Sequence, residues 1–129
     1  MNLALLFIAA THTFVLPPGL LSALCYVESN HQIHVLHKDD GNSNSLGVCQ
    51  IKLPTAQMLG FKGSEADLMK PQVNIRYAAK YLARQLDRYD SDPRKAVAAY
   101  NTGTYKEVNG SPINQVYVGK VFTAWLKKK

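Results

Sequence analysis

Apolar residues run unbroken from Leu3 to Ala10, then give way at Phe14-Val15-Leu16-Pro17-Pro18. The run predicts a short helix to about His12, ended by prolines, which lack an amide proton and crowd the preceding turn. Beyond Pro18 the pattern becomes periodic: Leu20, Leu21, Leu24 and Val27 recur at helical intervals. A second helix is predicted from Pro18, with proline in its favoured first turn. Glu28 falls four residues after Leu24 and seven after Leu21, so a carboxylate continues an apolar stripe.

Residues 30–51 lose that period. The stretch His37-Lys38-Asp39-Asp40-Gly41-Asn42-Ser43-Asn44-Ser45 is dense in turn formers and flanked by Val35-Leu36 and Leu46-Gly47-Val48, which fits a small β-hairpin or an ordered loop. Helical signals then return. Pro54-Thr55 opens a short helix, and Ser64 with Asp67 has the spacing of a capping box. Pro71 begins the longest helix, with Ile75, Ala78, Ala79, Leu82 and Leu86 on one face and Arg76, Lys80, Arg84 and Arg88 largely off it. Asp92-Pro93 supplies a cap and first-turn proline for a helix ending near Tyr100. Ser111-Pro112 repeats the signal for a last helix, whose core face is expected to use Val116, Tyr117, Val121 and Leu126. The class is mainly α, with one small hairpin at most.

Composition narrows the possibilities. A chain of 129 residues with 47% apolar and 19% charged residues reads as a folded globular protein. One domain over 1–129 is expected, with 1–16 as N-terminal helix and loop and 127–129 as a solvated basic tail. No apolar run reaches the roughly 18–20 residues of a membrane span. The apolar start resembles the core of a secretory signal but lacks preceding basic residues and a good cleavage pattern, so it reads as an uncleaved first helix. A net charge of +6 favours anionic partners: nucleic acid, a membrane surface or an acidic wall polymer. No phosphate-binding loop, dinucleotide fingerprint, serine-hydrolase elbow or recognition helix accompanies it, so no nucleic acid is expected.

Glu28 is the strongest chemical candidate. Burial and the negative pole of a helix C-terminus both favour a protonated carboxyl, as a general acid requires. The competing reading is an exposed polar residue at a fraying helix end. Asp67 and Asp92 read as helix starts, Asp39 and Asp40 as turn residues, and Asp87 and Asp90 as polar helix surface, so no second carboxylate of an ordinary glycosidase stands out. His31, His34 and His37 recur every three residues, but in a loop or strand that spacing does not gather them, and they read as polar loop residues, one near substrate. No metal and no cofactor is expected. Cys25 and Cys49 are too few for a Cys-rich zinc site; they could make one bridge, and Cys25 by itself reads as a small buried apolar residue.

Taken in order, the pieces resemble the soluble lytic transglycosylase domain of the lysozyme-like superfamily. Leu20-Leu21-Ser22-Ala23-Leu24-Cys25-Tyr26-Val27-Glu28-Ser29 is similar to its first motif, a helix ending in Glu-Ser. Gly47-Val48-Cys49-Gln50-Ile51 resembles its Gly-Leu-Met-Gln motif, and Pro71-Gln72-Val73-Asn74-Ile75 with Tyr81-Leu82 its long helix. Ala98-Ala99-Tyr100-Asn101-Thr102-Gly103 resembles the third motif, and Tyr117-Val118 with Lys120-Val121 the end of the domain. The likeness runs from about Pro17 to Leu126. Val48, Cys49 and Thr102 depart from the usual Leu, Met and Ala, and Ile113 stands where many members carry Glu.

The resemblance implies an α+β lysozyme-like fold: a helical bundle around a substrate cleft, with a small hairpin or loop after the catalytic helix. It implies cleavage of peptidoglycan glycan strands between N-acetylmuramic acid and N-acetylglucosamine, leaving a 1,6-anhydro sugar, with Glu28 as the single acid and base. Ser29, Gln50, Tyr100, Asn101 and Cys49 are carried over as substrate-side residues, Asn101 and Gly103 chiefly as shapers of the helix end that presents Tyr100. The implied fold brings Cys49 near the Glu28 helix and so allows a Cys25–Cys49 bridge. The implied site of action is the periplasm or cell wall. With no convincing signal, a place in a virion or a secretion assembly stays open. A goose-type-like lysozyme and an inactive glycan-binding domain are the alternatives.

Overall fold

The computed structural model describes residues 2–38 and 43–127. Asp39 and Asp40 of the turn-rich stretch, and Lys128 and Lys129 of the expected tail, lie outside the described residues. The chain runs through helices α1 (Leu3–Thr13) and α2 (Leu20–Ser29), short strands β1 (Leu36–His37), β2 (Ser45–Leu46) and β3 (Ile51–Lys52), and helices α3 (Leu53–Met58), α4 (Glu65–Leu68), α5 (Pro71–Arg88) and α6 (Pro93–Thr102). Strands β4 (Glu107–Val108) and β5 (Ser111–Pro112) and helix α7 (Gln115–Lys127) complete it. This is the mainly helical α+β lysozyme-like architecture expected.

Local signals set most helix starts. Ser64 and Asp67 make the capping box, each side chain closing on the other's backbone amide. Asp92 accepts from the amides of Arg94 and Lys95 ahead of Pro93. Along α5, Ile75, Ala78, Ala79, Leu82 and Leu86 are buried as their spacing predicts. Its buried side lies against α6, α1 and α2.

Three expectations are corrected. Helix α2 starts at Leu20 rather than Pro18, because Gly19 is left-handed (φ 82°) and cannot belong to the first turn. The turn-rich region forms a three-stranded antiparallel sheet in the order β1-β2-β3, not a single hairpin. Ser111-Pro112 does not cap the last helix. It pairs with Glu107-Val108 across Asn109-Gly110, both left-handed (φ 54° and 79°), the dipeptide and geometry of a tight hairpin.

Helix α7 keeps Tyr117 and Val121 of its expected core face but not Val116 and Leu126. Val118 and Val121 are buried, with Tyr117, Phe122 and Trp125 packed beside them, while Val116 and Leu126 are 70% and 68% exposed. Contact with α2 and α6 sets the inward face, together with the Trp125 indole N–H, which donates to the Pro18 carbonyl at 2.8 Å.

Candidate active site

Glu28 sits in the last turn of α2, half-buried, where Asn30 ends the helix in a left-handed conformation (φ 59°). It opens onto a cleft of about 220 Å³. Strand β2 supplies Ser45, the following turn and β3 supply Gln50, Ile51 and Lys52, and α3 supplies Thr55. Tyr81 of α5 and residues 100–103 at the end of α6 close the other side. Among the described lining residues Glu28 carries the one carboxyl group. Larger hollows lie elsewhere, including a groove of about 780 Å³ between the outer faces of α2 and α7 whose described lining has no carboxylate.

A side chain from α7 reaches Glu28. The Tyr117 hydroxyl, from the first turns of α7, donates to Glu28 Oε2 at 2.6 Å. Burial, and then the charge of Glu28, hold the Tyr117 phenol well above its ordinary pKa near 10. Tyr117 therefore stays a hydrogen-bond donor across the neutral range. Tyr100 is likewise pushed up, first by burial and next by Glu28, and its hydroxyl donates to the Cys49 carbonyl at 2.9 Å. Its ring stands 5.1 Å from that of Tyr81.

The turn 47–50 between β2 and β3 is held at nearly every polar atom. The Gly47 amide donates to the Val35 carbonyl (2.8 Å), and the Val48 carbonyl accepts from the Ser29 hydroxyl (2.6 Å). The Cys49 amide donates to Asn74 Oδ1 (2.8 Å), while Asn74 Nδ2 donates to the carbonyls of Leu46 and Leu68. Asn74 is fully buried on α5, so these bonds are made without competition from water. Gly47 is required where it stands: its φ is 77°, and a Cβ there would lie 2.5 Å from Asn74 Nδ2.

Gln50 adopts a left-handed backbone (φ 52°), a strained choice for a side-chain-bearing residue. Its amide pins it there. Nε2 donates to the carbonyls of Val35 and Gly47, and Oε1 accepts from His37 Nδ1 at 2.6 Å. Of the three histidines, His37 thus buttresses the site. His31 instead donates from Nε2 to the Ser22 carbonyl (2.8 Å) and packs against the Phe7 ring (5.1 Å between centroids).

Glu28, Gln50, Tyr100 and Asn101 are brought to one cleft. Ser29 and Cys49 are not in its lining: the Ser29 hydroxyl is spent on backbone carbonyls, and Cys49 is fully buried. Cys49 works through its carbonyl and through a disulfide with Cys25, the bond that the resemblance allowed. Asn101 Oδ1 accepts from Asn114 Nδ2 at 3.0 Å, beside the left-handed Gly103 (φ 88°) that ends α6. Ile113 is half exposed on the link into α7, so the cleft gains no carboxylate there. Sequence reasoning missed Tyr117 and His37 as site residues. The Tyr-Val pair was visible as a motif, but nothing local tied it to Glu28.

Comparison with known proteins identifies the family. A segment of 61 residues, 45% of this chain, is 39% identical to the peptidoglycan transglycosylase gp16 of Escherichia phage T7. This chain spans only 5% of the length of that relative. Residues 5–114 match the family model described as the transglycosylase SLT domain. That stretch takes in the Glu-Ser helix end, the clamped turn and the Tyr100 helix, and with it the chain belongs to the transglycosylase SLT domain family.

Proposed function

We propose that the protein is a peptidoglycan lytic transglycosylase that cuts the β-1,4 bond from N-acetylmuramic acid to N-acetylglucosamine with Glu28 as its one acid and base. The observation that carries this reading is Glu28 in a cleft, its carboxyl oriented by Tyr117 and faced by Tyr100. Family membership and the likeness to a phage transglycosylase support the substrate class.

With Oε2 accepting from Tyr117, the transferable proton sits on Oε1 and passes to the glycosidic oxygen as the bond breaks. The positive charge that develops at the sugar is met by the substrate's own acetamido group, which takes the place of a second enzyme carboxylate. Glu28, now ionised, takes the proton from the muramic acid six-position hydroxyl. That oxygen closes onto the anomeric carbon and a 1,6-anhydro end leaves. Gln50 and Tyr100 position the sugar, Asn101 shapes the rim, and Ser29 and Cys49 act through the turn they hold. Action on the cell wall follows from the substrate, and the phage relative supports a phage-linked role.

Digestion of purified peptidoglycan tests the reading. Anhydro-muropeptides released by the parent, with a loss of about a hundredfold or more in Glu28→Gln, are expected. Glu28-dependent reducing ends would make the protein a lysozyme. Binding of the wall without any cleavage by folded protein would make it a glycan-binding domain.

A further inference from the structure

The disulfide joins the segments that make the site. Cys25 stands three residues before Glu28 on α2, and Cys49 stands one residue before Gln50 in the clamped turn. The Cys49 carbonyl also receives the Tyr100 hydroxyl. One covalent bond therefore sets the distance between the acid's helix and the turn on which Gln50 and Tyr100 depend. If that bond is opened, the Ser29–Val48 hydrogen bond still ties α2 to the turn, but without a covalent limit on their separation.

We propose that the Cys25–Cys49 cystine is a positioning element of the active site, so that the dithiol protein is folded but poorly active and oxidation completes it. The inference rests on Glu28 being the acid and base. Other braces hold the fold without it: Asn74 anchors the turn to α5, and α2 lies along α7. What the bond adds is registry between Glu28 and Gln50, and small displacements of reacting groups cost rate steeply.

The chemistry is thiol–disulfide exchange. The two thiols give up two electrons and two protons as the S–S bond forms, and a small-molecule disulfide takes them and leaves as two thiols. Both sulfurs are sealed from solvent, at 0% exposure, so exchange precedes closure of the turn onto α2 or needs its local opening. The oxidised state is thus gained on passage into an oxidising compartment and is then persistent.

The test compares three forms on purified peptidoglycan: the oxidised protein, protein refolded under dithiothreitol, and the Cys25→Ala/Cys49→Val variant. Each is assayed for kcat and KM, melted, and followed by amide hydrogen exchange. At a temperature where all are folded, kcat is expected to fall about tenfold or more in both thiol-free and reduced forms, with KM changed less. Exchange at the Gln50 amide should quicken in both while α5 stays protected. Glutathione disulfide should restore kcat to the reduced protein and leave the variant unchanged. Parental kcat and unaltered protection at Gln50 in the reduced form would overturn the proposal. So would loss of protection throughout α5 in both altered forms, which would make the bond a fold-wide brace. Should the oxidised protein fail to cut peptidoglycan, the reading of Glu28 falls, and the exchange comparison still decides whether the bond holds the turn.

Discussion

At the scale of single residues, the site turns on a hydrogen bond between positions 89 residues apart, Tyr117 to Glu28. A hydrogen bond to an ionised carboxylate contributes about 1.5–3 kcal/mol, equivalent to roughly ten- to a hundredfold in rate if it is needed at the transition state. Tyr117→Phe is therefore expected to lower kcat by about that factor with a smaller change in KM, measured as muropeptide release under saturating peptidoglycan. Glu28 was legible in the sequence as a candidate, because a carboxylate that prolongs the Leu20, Leu21, Leu24 stripe stands out against it. Its partner was not. A tyrosine on a helix with apolar neighbours reads as core, and only the crossing of α7 over α2 tells which atom its hydroxyl meets.

At the scale of elements, the 47–50 turn shows how one buried amide side chain can replace a stretch of regular structure. Asn74 satisfies a buried N–H and two buried C=O groups at once. Asn74→Ala leaves all three without that partner and is expected to cost about 2–4 kcal/mol in urea unfolding. Gly47→Ala, which meets the Asn74 side chain and a positive φ together, is expected to cost about 2 kcal/mol or more by the same measurement. Helix limits were readable from caps such as Ser64 and Asp92, since a cap bonds within three residues of itself. The Asn109-Gly110 hairpin was readable too, and was masked by the stronger-looking Ser-Pro signal two residues on. The role of Asn74 was beyond reach, because its partners come from two segments, residues 46–49 and Leu68, that only the fold brings together.

At the scale of the whole molecule, two buried phenols tie stability to alkaline pH. Tyr100 and Tyr117 keep their protons to well above pH 10 in the folded chain, through burial first and the Glu28 charge second. Unfolding returns them to ordinary phenols, so above pH 10 the unfolded chain sheds protons that the folded one retains. Their contribution is complete below that pH and drains away as pH rises through the folded values. Tyr117→Phe should accordingly lose less stability than the parent between about pH 9 and about pH 11.5, as read from urea midpoints.

Glu28, the proposed acid, is carried on the second helix and the hydroxyl that donates to it on the seventh. During synthesis Glu28 leaves the ribosome long before residue 117 exists, so a nascent or prematurely ended chain holds the proposed acid without its tyrosine partner. A fragment cut to the family-matched residues 5–114 would share that defect, since Tyr117 lies beyond its end. On the reading proposed for Glu28, the site is complete only once α7 has docked.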